Sequence, residues 1–396
     1  MSGGPAIAGM VVAGFEPVRK EFERNWPERR ELGGAVAAYV GGEKVVDLWG
    51  GVRDARDDSP WEEDTLVLVY STSKGLAAIA LALMHSRGLL DYDERVSEYW
   101  PQFAQKRKEG VTVRQLLGHE AGLPVIDEKL DTDLLADFDR LADVIARQKP
   151  IWKPGTRHGY HGISLGWYMG ELMRRVDPDG RTLGRVFAED VAAPLGLDLY
   201  FGVPPSVEKR RIARIERGNP LRLLAGARDL PPRMALAMAN PTSLSYKTFA
   251  NPRLRTPAAL DRKEYRVLEF PAGGAVGSAR SIARAYAAVA GPKPELGITP
   301  ETVAELTRFP QPPTRGWFDQ VLKVNTAFSL GFARPLGPLQ FGSSDRAFGH
   351  PGAGGSFAFA DPDRHVSFAY VTNRLGMHLN DDPREKSLRD AVYSCL

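Results

Sequence analysis

A serine and a lysine at the end of a short apolar run are the residues best suited to chemistry in this sequence. Residues 66–70 read Leu-Val-Leu-Val-Tyr, and the tetrapeptide Ser71-x-x-Lys74 follows directly. Residues 76–84 are rich in alanine and leucine and contain no proline, which predicts a buried helix. Ser71 would then lie near the helix start, where negative charge is favoured, with Lys74 one turn later on the same face. A lysine amine in that place can activate a serine hydroxyl, although the tetrapeptide alone is common by chance.

A tyrosine in a loop could share proton transfer with this pair. Tyr160 lies within residues 153–162, whose proline and glycine content indicates a loop. A phenol, whose pKa is about 10, is a poor base at neutral pH unless a nearby cation lowers that pKa. Lys74 could supply the cation, so a Ser-Lys-Tyr set is chemically self-consistent. The alternative is a loop tyrosine whose ring packs on the surface.

A glycine-rich segment near the end of the chain could approach a substrate closely. Residues 348–356 read Phe-Gly-His-Pro-Gly-Ala-Gly-Gly-Ser and precede an apolar run. Glycines let a substrate carbonyl come close to main-chain N–H groups. We therefore expect a strand that lines a cleft, with the N–H of Ala353 in an oxyanion hole. The alternative is a tight turn with a solvated His350.

Other candidate residues have weaker support. Ser164 lies in a Gly-x-Ser-x-Gly pentapeptide, which forms a nucleophile elbow only when a buried strand precedes it. Residues 153–161 cannot form such a strand, so we expect Ser164 to cap a helix over residues 165–176. His119 and Glu120 adjoin a turn, and we expect structural roles for both. The remaining histidines outside the glycine-rich segment show no spacing that suggests a site; they are His85, His158, His161, His365 and His378.

The bulk composition excludes several classes of protein. The 396 residues suffice for two domains or one large domain. The 52 basic and 49 acidic residues are too evenly balanced to suggest nucleic acid or a membrane surface as a partner. A single cysteine, Cys395, allows no disulfide framework. The apolar residues 6–15 are too short to span a membrane and resemble no good signal peptide, so we expect a cytoplasmic protein.

The elements that must position these residues suggest an α+β fold of the α/β sandwich kind. Residues 34–40 and 44–50 flank a Gly-Gly turn and predict a hairpin. The predicted helices include residues 15–26 and 387–393, and the late predicted strands are residues 328–332, 337–341, 356–360 and 365–372. This pattern predicts an antiparallel sheet built from both termini and flanked by helices, with a mostly helical domain inserted. We place the α/β domain at residues 1–68 and 322–396 and the helical domain at 69–321, with the active site at their interface. Residues 204–263, rich in proline, are expected to form loops and short helices that shape the pocket.

Three separated signals occur in an order that resembles a known superfamily. Ser71-x-x-Lys74, Tyr160 in its Pro-Gly loop and His350-x-Gly352 look like the class C β-lactamase and penicillin-binding-protein superfamily of serine hydrolases, and most like its family VIII carboxylesterases. Residues 113–124 and 271–280 are similar to further signatures of that superfamily, and the resemblance covers residues 15–393. It implies a β-lactamase/transpeptidase-like fold and a Ser71 nucleophile that forms an acyl-enzyme. It also implies acid and base roles for Lys74 and Tyr160, an oxyanion hole from the N–H groups of Ser71 and Ala353, and substrate binding by His350 and Gly352.

Two departures from the β-lactamase pattern bear on the substrate. Gly162 stands where those enzymes have the asparagine of Tyr-x-Asn, and His350-Pro351-Gly352 stands where they have Lys-Thr-Gly. A neutral histidine holds a substrate carboxylate less well than lysine does. Both departures favour uncharged esters, so we expect a carboxylesterase for short-chain acyl esters.

The same site leaves other readings open. It could serve a β-lactamase, a D-amino-acid peptidase or an acyltransferase, and a catalytically silent scaffold that keeps the fold is a further alternative. For the esterase we expect a small-molecule ester substrate, no metal or organic cofactor, and neither nucleic acid nor membrane as partner. The sequence does not decide whether Lys74 or Tyr160 is the first base, which acyl group is preferred, or the oligomeric state.

Overall fold

Strands from both ends of the chain pair in one antiparallel sheet. The structure is a computed structural model that describes residues 6–216, 229–254 and 256–396. Nine strands form the main sheet in the order β1-β3-β2-β12-β11-β10-β9-β8, with β4 paired to β3, and three short strands form a second sheet in the order β5-β7-β6. The strands are β1 Ile7–Val11, β2 Gly33–Val40, β3 Glu43–Asp54, β4 Ser59–Pro60, β5 Val67–Leu68, β6 Leu199–Phe201, β7 Ala275–Gly277, β8 Ala327–Ser329, β9 Phe332–Arg334, β10 Phe348–Pro351, β11 Phe357–Asp361 and β12 Val366–Thr372.

Helices cover both faces of the main sheet and fill the middle of the chain. They are α1 Glu16–Arg29, α2 Thr72–Ser86, α3 Val96–Tyr99, α4 Val113–Leu117, α5 Thr132–Ala136, α6 Phe138–Arg147, α7 Ser164–Val176, α8 Leu183–Val186, α9 Ala193–Leu195, α10 Pro232–Met238, α11 Leu244–Phe249, α12 Lys263–Arg266, α13 Ala279–Ala290, α14 Pro300–Thr307 and α15 Pro383–Ser394. A π-helical turn, Phe187–Ala192, joins α8 to α9, and short 3-10 turns occupy Pro101–Phe103, Lys209–Arg211 and Pro257–Asp261. No helix in the described ranges has the length and apolar character needed to cross a membrane.

The two faces of the sheet carry different side chains because different helices pack on them. One face of β2 and β12 presents small residues such as Ala37 and Ala369 to the core shared with α13. The opposite face presents larger residues such as Phe368, which pack with Val18 of α1 and Leu388 of α15. Period-two alternation of side chains along a strand produces this division. The nucleophile helix α2 packs on the same face as α13 and contacts β9, β10 and β11.

The structure confirms the predicted α+β architecture and most of its long elements. The hairpin of β2 and β3, the antiparallel sheet drawn from both termini, and the helices over residues 15–26, 76–84 and 387–393 are all present. The predicted domain boundaries at 68 and 322 stay a prediction. Helix α13 lies within the predicted helical insertion, yet it packs on β2, β11 and β12 of the sheet.

Several local predictions were wrong or incomplete. Residues 337–341 form no strand, because Gly337 has a positive φ of 59° and the chain makes only an isolated bridge there. Strand β1 was not predicted. The pattern of residues 130–148 also indicates one helix, but the structure has two, α5 and α6, separated at Asp137, which caps α6. Within residues 204–263 the structure has the short helices and 3-10 turns that we expected. Residues 217–228 and 255 of that segment lie outside the described residues.

Candidate active site

A sharp turn places Ser71 between strand β5 and helix α2. Tyr70, the residue before it, has a φ of 49°, which is uncommon for a residue with a side chain. Ser71 occupies the position before the first helical residue and is half-buried, whereas Thr72, Ser73 and Lys74 are buried. Ser71 is therefore the one residue of this tetrapeptide that is partly exposed, and its role as nucleophile stays a prediction.

Lys74 is hydrogen-bonded so that its amine faces Ser71. Its Nζ lies 3.0 Å from Ser71 Oγ, 2.7 Å from the carbonyl oxygen of Gly162 and 2.8 Å from that of Ala272. Burial of the side chain lowers the pKa of Lys74 well below its usual value of 10.5. A neutral amine has two N–H donors and one lone pair, and carbonyl oxygens can only accept. In its neutral form, Lys74 would donate to the two carbonyl oxygens and keep its lone pair for the Ser71 hydroxyl.

Tyr160 is a buried neutral phenol beside this pair. A hydrogen bond to Ser71 lowers its pKa, but burial outweighs that effect and raises the pKa above its usual value of 10.0. Lys74 Nζ lies 4.8 Å from the centroid of the tyrosine ring. We expected a Lys74 cation to lower the pKa of Tyr160. That expectation is wrong, because burial favours the neutral forms of both Lys74 and Tyr160. Tyr160 is thus suited to donate a proton or to relay one.

Aromatic rings and one buried carboxylate hold Tyr160 in place. Its ring stacks on Phe328 at a centroid distance of 5.4 Å, and its main-chain N–H donates to Asp319 Oδ2 over 3.0 Å. Asp319 is fully buried and also accepts from the N–H groups of Val321 and Leu322 at 2.7 Å and 2.8 Å. Asp319 was not predicted from the sequence, because a single aspartate in a loop has no spacing signal.

The turn between β10 and β11 lies directly against the nucleophile segment. Ser356 Oγ donates to the carbonyl oxygen of Val69 over 2.8 Å. A Cβ atom on Gly352 would lie 2.3 Å from that same oxygen and 2.2 Å from Ser356 Oγ, so only glycine allows this approach. Ala353, the next residue, is exposed. Within the part of the chain that the structure describes, the N–H groups of Ser71 and Ala353 make no hydrogen bond, which leaves both for an oxyanion.

His350 is part of the wall behind Tyr160. Its side chain is 1% exposed, and its ring centroid lies 5.9 Å from that of Tyr160. Nδ1 lies 2.7 Å from the carbonyl oxygen of Pro351 and so carries the proton. Burial lowers the pKa of His350 to about 3, so the ring is neutral and offers no positive charge to a substrate carboxylate. Substrate binding by His350 and Gly352 stays a prediction.

The remaining sequence candidates are structural neighbours of the site. Ser164 is buried, and its Oγ donates to the carbonyl oxygen of Leu123 over 2.7 Å. The predicted capping role is wrong, since α7 begins at Ser164 itself and no side chain caps it. His119 is buried with its ring 5.1 Å from that of Tyr160, and burial raises the pKa of Glu120 to about 7. No group of three or more His, Cys, Asp or Glu residues in the described ranges is arranged to hold a metal ion.

The sequence is similar to a known protein family and to named relatives. The profile of the family described as Beta-lactamase matches residues 18–393. The chain is 33% identical over 377 residues to "Esterase/beta-lactamase LipL" of Mycobacterium tuberculosis, a match that covers 94% of this chain and 84% of the relative. It is 28% identical over 408 residues to "Esterase EstB" of Burkholderia gladioli, covering 94% of this chain and 93% of the relative.

Solved structures give the same result. The crystal structure of a family VIII carboxylesterase superposes with a TM-score of 0.86 at 36% identity, covering 99% of this chain and all of that one. A penicillin-binding protein homologue from Caulobacter crescentus superposes with a TM-score of 0.84 at 35% identity, covering 99% of this chain and 100% of the other. The resemblance and the β-lactamase/transpeptidase-like fold expected from the motifs are confirmed. Because the family profile spans nearly all of the sequence, the chain belongs to the Beta-lactamase family.

Proposed function

We propose that the protein is a serine carboxylesterase that cleaves short-chain acyl esters through an acyl-enzyme on Ser71. The observation that carries this proposal is the position of the Lys74 amine, whose Nζ lies 3.0 Å from Ser71 Oγ and is also hydrogen-bonded to the carbonyl oxygens of Gly162 and Ala272. A nucleophile with an adjacent base of this kind performs acyl transfer. The names of the relatives, two of them esterases, support the same reaction.

The geometry supports a definite order of proton transfers in acylation. Lys74 takes the Ser71 proton as Oγ attacks the ester carbonyl carbon, and the oxyanion that forms accepts from the N–H groups of Ser71 and Ala353. When the carbon–oxygen bond of the ester breaks, Tyr160 gives its proton to the departing alcohol. The Lys74 ammonium then returns a proton to Tyr160, so both groups end neutral. In this proposed scheme Lys74, and not Tyr160, is the first base.

Deacylation uses the same groups with water as the nucleophile. Water attacks the acyl carbon and passes a proton to Tyr160, which gives its own proton to Ser71 Oγ as that atom leaves. The carboxylic acid and the free serine result, and Lys74 stays neutral. A phenol suits this relay because it can accept one proton while it donates another. The scheme needs no metal or organic cofactor, and that absence stays a prediction.

The test compares Ser71→Ala with Ser164→Ala on p-nitrophenyl acetate. We expect Ser71→Ala to lose hydrolysis and labelling by a fluorophosphonate probe, because no other hydroxyl faces the Lys74 amine in the described residues. Ser164→Ala is the matched control and should retain most activity, since its hydroxyl donates to the carbonyl of Leu123. Hydrolysis at the wild-type rate by Ser71→Ala would contradict the proposal.

The same site could also carry a different activity. A β-lactamase activity is the main alternative, favoured by the double name of the relative LipL. Turnover of nitrocefin comparable to that of p-nitrophenyl acetate would support it.

The cytoplasmic location expected from the sequence is tested by fractionation of the cells that make the protein. Activity in the membrane fraction or the secreted fraction would contradict it.

A further inference from the structure

Tyr160 lies in a loop, so hydrogen bonds have to fix its position. Residues 157–161 belong to no helix or strand. The main-chain N–H of Tyr160 donates to the Asp319 carboxylate, at 3.0 Å from Oδ2 and 3.2 Å from Oδ1. The next N–H, that of His161, donates to Nδ1 of His119 over 2.9 Å. Two buried side chains therefore hold the backbone at the phenol.

Asp319 is the charged anchor of the two. Its side chain is fully buried, and Oδ1 also accepts from the N–H groups of Val321 and Leu322 at 2.7 Å and 2.8 Å. All of these partners are donors, which suits an ionised carboxylate, and hydrogen bonds to an ionised acceptor are about twice as strong as neutral ones. The main-chain N–H of Asp319 itself donates to the carbonyl oxygen of Val324 over 2.9 Å. The carboxylate therefore ties the Tyr160 loop to the turn of residues 319–324.

Thr326 and His158, both buried, orient the Asp319 carboxylate. Thr326 Oγ1 donates to Asp319 Oδ2 over 3.2 Å and lies 3.1 Å from His158 Nε2. A hydroxyl has one proton and a carboxylate can only accept, so the proton on Oγ1 belongs to the bond with Asp319. Nε2 of His158 must then carry a proton and donate to Oγ1. The result is a buried chain from His158 through Thr326 and Asp319 that ends on the N–H of Tyr160.

We propose that Asp319, oriented by Thr326 and His158, is a positioning residue that aims the Tyr160 phenol at the departing alcohol of the ester. The inference rests on the proposed function, in which Tyr160 gives its proton to that alcohol, and adds how the proton donor is held. Because Asp319 is fully buried, it acts through the main chain of Tyr160 and not on the substrate. A misplacement of about 1 Å can cost about 10²-fold in rate, so a proton donor on a loop needs an anchor of this kind.

The test compares two acetate esters whose alcohols differ in their need for a proton. The p-nitrophenolate of p-nitrophenyl acetate leaves with little help from a proton donor, whereas ethoxide leaves ethyl acetate only as it is protonated. Because kcat/KM reports acylation, the proton relay of deacylation does not enter it.

The variant is Asp319→Asn, in which the amide oxygen can keep the N–H groups of Val321 and Leu322 while the new NH2 group faces the N–H of Tyr160. We expect the ratio of kcat/KM for p-nitrophenyl acetate to kcat/KM for ethyl acetate to rise by about tenfold, part of the roughly 10²–10⁴-fold contribution of a general acid.

Asp361→Asn is the matched control. Asp361 is another fully buried aspartate, and it accepts from the N–H groups of Ser343 and Asp363 at 2.7 Å and 3.1 Å. This variant should lower the thermal unfolding midpoint and leave the ratio unchanged, since its partners join β11 to the turn before β10. Thr326→Val provides a milder variant if Asp319→Asn does not fold. It removes the hydroxyl of the chain and should raise the ratio by about threefold, the effect of one hydrogen bond.

A mutant cycle with Tyr160→Phe identifies the route of the effect. Tyr160→Phe alone should raise the same ratio, and Asp319→Asn should raise it no further in the Tyr160→Phe background, because the proton donor is already absent. The inference is overturned by an unchanged ratio in Asp319→Asn, by an unchanged ratio in Thr326→Val if that is the folded variant, or by an equal further rise in the double variant. Absence of ester hydrolysis by the wild-type protein would overturn the proposed function instead.

Discussion

Burial shifts the pKa values of Lys74 and Tyr160 in opposite directions and so makes both groups neutral. The lysine pKa falls and the tyrosine pKa rises, each because the charged form loses its solvation. A neutral amine is a base, and a neutral phenol is an acid or a relay, so the directions of the two shifts are consistent with the proposed roles. The prediction of Ser71, Lys74 and Tyr160 as the catalytic set rests on their types and order in the sequence. It did not assign the first base, since that depends on burial and on the carbonyls of Gly162 and Ala272.

Removal of the Tyr160 hydroxyl should abolish catalysis without unfolding the protein. In Tyr160→Phe the ring keeps its stack on Phe328, while the proton donor for the departing alcohol is lost. We expect kcat for p-nitrophenyl acetate to fall by about 10²–10⁴-fold, the usual range for a general acid or base. Steady-state kinetics and thermal unfolding of the same preparation measure the two effects.

The matched control for that variant is Tyr92→Phe. Tyr92 is also buried, and its hydroxyl has no hydrogen-bond partner in the described part of the chain. Its removal should leave kcat unchanged. A Tyr160→Phe enzyme with wild-type kcat would show that water or Lys74 alone protonates the leaving group.

Lys74 should make the stability of the protein depend on pH. Its folded pKa is lowered and its unfolded pKa is near 10.5, so between these values the unfolded chain binds a proton that the folded chain does not. The free energy of unfolding therefore falls as pH falls through that window, by up to about 1.4 kcal/mol for each pH unit from this one group. In Lys74→Met this contribution disappears. Urea unfolding at pH 9 and at pH 7 gives the change in the free energy of unfolding between these two pH values. We expect this change to be smaller for the variant than for wild type. Equal changes in the two proteins would contradict a lowered pKa of Lys74.

At the scale of elements, the site depends on the contact between the start of α2 and the turn after β10. Helix α2 supplies Ser71 and Lys74, and the turn supplies Ala353. Ser356 and Gly352 hold the two together at the carbonyl oxygen of Val69. The proposed oxyanion hole therefore depends on the contact between these two elements.

A methyl group at Gly352 should separate these elements. The Cβ of Gly352→Ala would lie 2.3 Å from the carbonyl oxygen of Val69, so the turn must move away from Ser71. We expect kcat to fall by about 10²-fold or more, because one oxyanion donor is displaced. Gly110→Ala serves as control, since nothing lies within 4 Å of its Cβ. Wild-type kcat in Gly352→Ala would exclude the N–H of Ala353 from the oxyanion hole.

The elements that the sequence predicted are those with strong internal patterns. Helices α1, α2 and α7 have clear apolar spacing, and the β2–β3 hairpin has its Gly-Gly turn. Strand β1 was missed because it is defined by pairing with β3 and most of its residues are exposed. Phe249 was missed for a related reason. Its ring packs against Gly162, which is far away in sequence, and this contact becomes visible only once α11 is placed.

At the scale of the whole molecule, a buried charged network joins the two ends of the chain. Glu31, which precedes β2, accepts from Tyr370 and Thr372 of β12 and pairs with Arg384 of α15 at 3.4 Å. Arg384 also pairs with Asp382 at 2.8 Å. The sequence predicted that both termini share one sheet. It did not predict this network, because its members are separated by up to 353 positions and have no common motif.

Arg384 also connects the network to the active site. Its guanidinium donates to the carbonyl oxygen of Gly354 over 2.7 Å, one residue after Ala353, the proposed oxyanion donor. The side chain is 4% exposed, so its removal leaves a buried carboxylate at Glu31 without its cation. The packing of both termini and the position of the oxyanion hole therefore depend on the same residue.

We expect Arg384→Met to lower the free energy of unfolding by about 3–5 kcal/mol, the cost of breaking a buried ion pair from one side. The fraction that remains folded should also have a lower kcat, because the turn that carries Ala353 loses its anchor. Lys386→Met on the same helix is the control. Its pair with Asp390 is exposed on both sides, so its loss should cost less than about 1 kcal/mol. Urea unfolding with parallel ester assays separates the two outcomes, and equal midpoints for both variants would show that the buried network does not stabilise the junction of the termini.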